Sequence, residues 1–418
     1  MSEAQLRWPR INAAWLHSPA LAKVFAALTK EGAEARVVGG AVRNALINRT
    51  VKDVDVATTA RPDEVIRLAT QAGLGAHPTG IEHGTITVVA DKHPFEVTTL
   101  RRDVETDGRH AVVTFTTSWE EDAARRDFTI NALSCTPDGT IYDYAGGLDD
   151  LRNRRVRFIG DARARIHEDY LRILRFFRFA AEYGNGNLDP QGLAAADAMK
   201  EGLSLLSAER VRAEVLKLLA APSAVDVANA MYKSGIIQLI LRTRLEPDCF
   251  ARLAAIESQL GEPPDALARL TALAAHDADD AATLAQELRL SNAEAARIAV
   301  ASAGDPAIDP VAPDASARAA LYKLGAENFT RAARIAWARS GAPIDSSRWR
   351  ARTFLPDRWK APVMPFSGAD VLALGLAPGP KIGVVLAAFE RWWIGNDFPA
   401  DAERQGTVLK ELAREALN

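Results

Sequence analysis

The residues with the clearest chemical potential are two aspartates one position apart, Asp53 and Asp55, in the run KDVDVAT. Side chains two apart on a strand leave the same face, so the two carboxylates would project together while Val54 and Val56 pack behind them. Adjacent carboxylates repel unless a cation neutralises them, and Mg²⁺, which takes carboxylate and phosphate oxygens, suits that role. Shortly upstream, RVVGGAVRNALIN reads as an apolar strand that turns through Gly39 and Gly40 directly into a helix. Paired glycines let a ligand approach the backbone, and a helix start offers unpaired N–H groups to an anion. Arg43, in the first helical turn, is within reach of the same phosphate. Metal ions at the aspartates would activate an attacking hydroxyl and stabilise a pyrophosphate leaving group. Two exposed aspartates on an edge strand are the plainer alternative for the pair alone; the glycine turn, arginine and acid pair in this order argue against it.

Three further stretches extend the site. Glu96 in PFEVTTL sits in a later apolar strand and is a candidate third carboxylate, or else an ordinary solvent-facing strand residue. In RRDFTINAL, Arg126 is expected to clamp a triphosphate from the side opposite Gly40, and Asn131 to contact the sugar. In HEDYLRILRFFRFAAEYG, Asp169, Arg172, Arg175 and Arg178 recur every three residues, so successive members touch on a helix surface. Ile173, Leu174, Phe176, Phe177 and Phe179 crowd the rest of that helix, so the polar row is expected to line a cleft rather than open water.

The elements that must position these residues follow from texture. Leu21, Val24, Phe25 and Leu28 have helical spacing within an N-terminal helical segment, residues 1–35. From Arg36 to about Asp143 short β-rich runs (RVVGG, VDVAT, TITVVA, FEVTTL, VVTFT) alternate with turn residues, an α/β domain assigned to 36–160. Beyond Asp161, Ala, Leu, Arg and Glu fill helix-length blocks at 166–182, 207–221 and 225–241. The helical remainder divides into 161–222, carrying the Asp169 row, and 223–418. Proline and glycine clusters near 261–264, 305–313 and 377–380 mark junctions between helices.

The chain has 418 residues, too many for one ordinary core, with 48% hydrophobic and 25% charged residues. No apolar run is long enough to span a membrane, and the opening segment lacks the apolar centre of a signal peptide, so a cytoplasmic protein is expected. Cys135 and Cys249, the only cysteines, cannot build a disulfide framework. The net charge of −3 hides a basic block: nine arginines stand between residues 151 and 180 against Asp161, Glu168 and Asp169. Such a block suits a polyanion, since neutralised phosphates release counterions. Nothing in the sequence signals an oligomeric state.

GGAVRN at 39–44, DVD at 53–55, RRDFTINAL at 125–133, DYAGGLDDL at 143–151, EDYLRILRFFRF at 168–179 and LSAERV at 206–211 occur in one order. Together they resemble the successive motifs of the class II tRNA nucleotidyltransferases, the CCA-adding enzymes, and of their relatives the bacterial poly(A) polymerases. The resemblance spans residues of about 36–220. It implies an α/β polymerase-beta-like nucleotidyltransferase head followed by an all-helical neck, body and tail, the last with an RNA-binding role. It also implies that Gly39, Gly40 and Arg43 bind the triphosphate, Asp53 and Asp55 the catalytic Mg²⁺, and Arg126 the nucleotide. Asp169 and Arg172 would read the incoming base, with Arg175 and Arg178 supporting. Asn44 departs from the family, which commonly has aspartate there.

The implied chemistry is addition of CCA to a tRNA 3′ end from CTP and ATP. Cytosine and adenine each present an amino donor beside a ring-nitrogen acceptor, whereas uracil and guanine present a carbonyl beside an N–H. A carboxylate with a guanidinium complements only the first pattern. The segment LRRDVETDGRHAVVTFTTSWEED resembles the flexible loop that full CCA enzymes have and A-adding enzymes shorten; Arg101, Asp103 and the turn-prone Asp107-Gly108 suit a lever, although a surface hairpin fits as well. The alternatives are a poly(A) polymerase and a non-catalytic RNA-binding module on the same fold. His276-Asp277 resembles a phosphohydrolase metal dyad, but without a second histidine cluster it reads as a helix-end pair.

Overall fold

The computed structural model describes residues 10–107 and 110–417. The chain forms two compact units, Met1–Ile240 and Leu241–Asn418.

The first unit opens with helix α1 (Pro19–Thr29), started by Ser18, whose hydroxyl accepts from the Leu21 amide at 3.3 Å, and by Pro19 at its first position. Leu21, Val24, Phe25 and Leu28 form its buried face, as their spacing requires. There follow β1 (Ala35–Val38), α2 (Gly40–Leu46), β2 (Asp55–Thr58), α3 (Pro62–Gln71), β3 (Gly75–Gly80), β4 (Thr85–Ala90) and β5 (His93–Thr99). Next come β6 (Arg101–Asp107), β7 (His110–Phe115), α4 (Trp119–Ala124), β8 (Ser134–Cys135), β9 (Ile141–Tyr142) and α5 (Gly147–Arg152). Seven strands make one mixed sheet in the order β3-β4-β5-β2-β1-β8-β9. Its one parallel pair among the described strands is β2 with β5 (Val56 opposite Val97), while β1 and β2 are antiparallel, Val38 opposite Asp55. This register sets the start of β2 beside both the end of β1 and the Glu96 end of β5.

Helices α6 (Ala162–Glu168), α7 (Leu171–Tyr183), α8 (Pro190–Ala198), α9 (Ala208–Leu219), α10 (Ala224–Lys233) and α11 (Ile236–Ile240) complete the unit. The continuous helix expected over 166–182 is instead broken at Asp169, which is extended (φ −156°, ψ 107°). The break has a local cause: the Asp169 carboxylate accepts from the Leu171 amide at 3.0 Å and starts α7 anew. An aromatic cluster fixes α7 against the sheet domain. Phe128 lies 4.9 Å from Phe158 and 5.2 Å from Phe179, and Phe158 stacks on Phe176 at 5.5 Å. Phe128, Phe158, Phe176 and Phe179 are all buried, and each such ring contributes about 1.5–3 kcal/mol by leaving water.

The second unit is helical, with no strand among its described residues. It has one apolar cluster around Phe329, Trp337 and Trp349 and another around Phe389 and Trp393. The proline and glycine clusters at 261–264, 305–313 and 377–380 do fall at helix junctions. Asp277 caps the helix Ala278–Glu287 through the Asp280 amide at 2.9 Å, and His276 Nδ1 is 2.9 Å from Asp280, so this pair is a helix-end device. No helix among the described residues is long and apolar enough to cross a membrane.

Candidate active site

The chain leaves β1 through Gly39, whose φ of +66° favours glycine; a Cβ there would meet Arg126 Nη1 at 3.3 Å. Gly39, Gly40, Arg43, Asp55, Arg126, Asn131, Asp169, Arg172 and Arg175 all border one cleft of about 430 Å³. Five arginines and three aspartates line it, once Arg125 and Asp127 are included. The sequence candidates therefore converge, with two exceptions.

Asp53 precedes β2 rather than lying in it, and borders a neighbouring cavity with Asp55 and Glu96. Asp55 belongs to both cavities. Burial raises the Asp55 pKa, the Glu96 and Asp53 charges raise it further, and Arg126 partly offsets them. Glu96 is thus the third member of an acidic cluster, placed there by the parallel β2–β5 pairing. The donor set fits a hard divalent ion. Among the described residues no three acidic, histidine or cysteine side chains are grouped so as to hold a metal ion by themselves.

Arg178, expected to support the site, is the second exception: it does not border this cleft. It is buried, donates from Nε to Glu214 and from Nη1 to Glu182 at 3.3 Å, and borders a different cavity. The three-residue spacing holds along α7, but a step of three also winds the row round the helix, and Arg178 has turned out of the cleft by then. Glu214 also lies 3.8 Å from Arg175, and the Arg178 guanidinium stands 4.1 Å over the ring of Phe179, so Arg178 connects to two residues of the cleft without bordering it.

The other side chains are each held by a specific partner. Arg126 donates to Asp122 from Nη2 at 3.0 Å and to the Asn131 carbonyl at 3.2 Å. Burial pushes the Asp122 carboxyl up, but the Arg126 and Arg125 charges outweigh it and leave the pKa lowered. Arg175 grips Asp127 Oδ2 from Nε at 2.8 Å and Nη2 at 2.6 Å. Asp127 is likewise pushed up by burial and brought below the ordinary carboxylate range mainly by Arg175. The Arg172 amide donates to the Asp169 carbonyl at 2.9 Å, but their side chains turn to other partners. Asp169 accepts from Arg210 Nη2 at 2.6 Å, and Arg172 donates to Glu168 and to the Arg165 carbonyl at 2.9 Å.

Arg43 borders the cleft with its guanidinium engaged by neighbouring side chains. Its Nη2 donates to the Tyr183 hydroxyl at 2.7 Å, its Nε to Asn44 at 3.2 Å, and its Nη1 to Asn131. Burial pulls its pKa down, partly countered by Tyr183 and Glu182. Asn131 also donates to Asp127 at 2.9 Å, so it ties the Arg43 and Arg175 networks together. Asn44, the departure from the family pattern, accepts from Arg43 and Tyr183 in this same network. The segment after Leu100 forms a two-stranded ribbon, β6 with β7, register-shifted between Asp103 and Glu105; Gly108 lies outside the described residues. Sequence reading missed Asp122, Arg210, Glu214 and Tyr183. Asp122, Tyr183 and Arg210 stood in quoted stretches, but their types gave no hint of their partners; Glu214 lay outside all of them.

A family model described as "Poly A polymerase head domain" matches residues 35–157, and one described as "Probable RNA and SrmB- binding site of polymerase A" matches residues 187–246. A Mus musculus protein named CCA tRNA nucleotidyltransferase 1, mitochondrial, is 35% identical over 420 residues, covering 94% of this chain and 89% of its own. The chain belongs to the CCA-adding tRNA nucleotidyltransferase family. A CCA-adding enzyme of Streptococcus sanguinis is 33% identical over 396 residues, 94% of this chain and 96% of that one. A Danio rerio CCA tRNA nucleotidyltransferase 1, mitochondrial, is 47% identical over 223 residues, spanning 51% of its length. The crystal structure of the Bacillus stearothermophilus CCA-adding enzyme in complex with CTP is 28% identical, with a TM-score of 0.70 over 95% of this chain and 98% of that chain. Family membership makes the chain a nucleotidyltransferase with a polymerase-beta-like head, a fold that implies a divalent metal.

Proposed function

We propose that this chain adds C, C and A to the 3′ end of tRNA from CTP and ATP, with Mg²⁺. The observation that carries the reading is a single cleft in which Asp55 stands between a glycine-lined, arginine-flanked turn and the Asp169–Arg172 corner. The triphosphate lies against Gly39, Gly40 and Arg126, and the base reaches Asp169 and Arg172. Asp53 and Asp55, with Glu96 beside them, would hold Mg²⁺, which when bound supplies charge neutralisation of the triphosphate and a lowered pKa for the attacking hydroxyl. The acceptor's 3′-oxygen forms a bond to the α-phosphorus as the bridging bond to the β-phosphate breaks; the hydroxyl proton passes to the acidic cluster and pyrophosphate leaves.

Base choice follows from fixed partners. Asp169 accepts from the amino group of C or A, and Arg172 donates to the adjacent ring nitrogen. With U or G both contacts are mismatched, at about 1–3 kcal/mol each. Asp169 and Arg172 are each anchored by a different neighbour, Arg210 and Glu168, which supports a rigid reader that cannot swing to suit the wrong base. The β6–β7 ribbon supports addition of both C and A over A alone.

Purified chain given a tRNA transcript lacking its terminal trinucleotide should add C, C and A and then stop. Long adenylate tails made without CTP on unrelated RNA would identify a poly(A) polymerase instead. RNA binding without transfer at any metal concentration would leave a non-catalytic RNA-binding module. Two relatives carry mitochondrial names, so our cytoplasmic assignment is to be checked by fractionation of cells expressing the tagged chain.

A further inference from the structure

We propose that the cavity on the other side of Asp55 seats the terminal nucleoside of the RNA acceptor, with Trp15 stacking on its base and Lys52 meeting its phosphate. The proposal rests on the nucleotide-transfer reading above and names the partner of that site's second half.

Asp55 is the residue that the two cavities share. In an in-line displacement the nucleophile enters opposite the leaving group. If pyrophosphate departs along the Gly39–Gly40 and Arg126 side, the attacking hydroxyl must arrive across Asp55, which is from the second cavity. That cavity has a volume of about 950 Å³ and is bordered by Trp15, Lys52, Asp53, His93, Phe95 and Glu96. Its size is at the upper end of the range for small-molecule sites, roughly 300–1,000 Å³, room for a nucleoside and its flanking phosphate.

Its chemistry is divided in the way an RNA terminus needs. The acidic wall of Asp53, Asp55 and Glu96 suits a hydroxyl and repels a phosphate. Lys52, exposed and without an ion-pair partner among the described residues, borders the same cavity and supplies a cation there. Trp15 is held on the short 3₁₀ turn Ala14–His17, and its indole Nε1 is buried with no hydrogen-bond partner among the described residues. Trp15 also lies upstream of the residues 35–157 matched by the head-domain model, so a segment outside that match completes the cavity.

The two aromatic and polar strategies complement one another. Growing an end by successive additions requires a seat that tolerates whichever base is last, and stacking on an aromatic ring is sequence-tolerant because every base has a π-face. The reader at Asp169 and Arg172 has to discriminate and uses directional hydrogen bonds. One cavity accepts, the other selects.

The test uses Trp15→Ala, Trp15→Phe and Lys52→Ala with two probes: a tRNA transcript lacking its terminal trinucleotide, and the same RNA one nucleotide shorter. Direct RNA titration without nucleotide is read alongside KM for RNA and KM for CTP. Trp15→Ala is expected to weaken binding of the longer probe and raise its KM by roughly fivefold to a hundredfold, the effect of losing one base–aromatic stack. It should narrow the difference in affinity between the two probes and change KM for CTP by less than about twofold, with Trp15→Phe restoring most of the loss. Lys52→Ala should flatten the salt dependence of binding by about one phosphate's share. Wild-type RNA affinity in both Trp15→Ala and Lys52→Ala, or a rise confined to KM for CTP, would overturn the seat. A wild-type chain that transfers no nucleotide would defeat the catalytic reading, while the titration would still decide whether Trp15 and Lys52 hold RNA.

Discussion

Arg210 Nη2 lies 2.6 Å from the Asp169 carboxylate, reached from 41 positions away in the sequence. The opposite oxygen of Asp169 is tied to the Leu171 amide, so the carboxylate is fixed from two directions while still bordering the cleft. A reader held this way can be disturbed without touching it. Arg210→Ala should lower discrimination of CTP over UTP by roughly fivefold to a hundredfold, the equivalent of one misplaced buried hydrogen bond, and leave RNA affinity within about threefold. The measurement is kcat/KM for each nucleotide; unchanged discrimination would mean that the base is read elsewhere.

Asp55 carries a raised pKa because the surrounding protein partly desolvates its carboxylate and the charges of Glu96 and Asp53 add to that, although the residue keeps an exposed side. For an acid raised above its unfolded value, stability is lost as pH climbs through the folded pKa and is intact below the unfolded one. At neutral pH the ionised cluster therefore strains the fold. Asp55→Asn should raise the metal-free Tm, while Mg²⁺ should raise the wild-type Tm and have a weaker effect on the variant. Nucleotide transfer by the variant should fall at least about a hundredfold. Differential scanning fluorimetry with and without Mg²⁺ checks the first two outcomes, and a variant less stable than wild type would remove the account of mutual repulsion.

The Arg175–Asp127 pair should govern acid stability. Asp127 is buried, and Arg175 outweighs that burial to depress its pKa. An acid depressed in the folded state contributes stability that is complete above about pH 4 and is lost as pH falls through the lower folded value. Asp127→Asn should cost about 3 kcal/mol at neutral pH by removing the nearer of Arg175's counter-charges, with Glu214 left at 3.8 Å. Urea unfolding at a series of pH values should find that the gap from wild type narrows below about pH 4; a gap that is constant with pH would assign the loss to packing alone.

Much of the site was legible in the sequence because its parts depend on short-range geometry. The glycine turn needs only an apolar strand, Gly39 at positive φ and a following helix. The acid pair was legible as two nearby carboxylates but not as two strand neighbours, since β2 begins only at Asp55. The order of these motifs carried the family, and the helical periodicity of 19–29 carried α1 with its buried face. The helix expected over 166–182 was half legible: α7 follows the periodicity, but the break at Asp169 depends on a side chain capping the next turn, a competition that residue spacing does not settle.

Which acid meets which guanidinium was beyond the sequence. Nine arginines crowd residues 151–180, and any of them satisfies a charge pattern. The tertiary structure gave Arg175 to Asp127, Arg172 to Glu168 and Arg178 to Glu214, and brought Arg210 from outside the block to Asp169. The same applies to the acidic cluster. Sequence spacing kept Asp53 near Asp55, but Asp53 precedes β2, so the strand repeat does not fix the pair, and the two share only the cavity that also holds Glu96. Only the parallel pairing of β2 with β5 decided that Glu96 would join them, because strand order is set by burial of both faces of the sheet and not by anything local to Glu96.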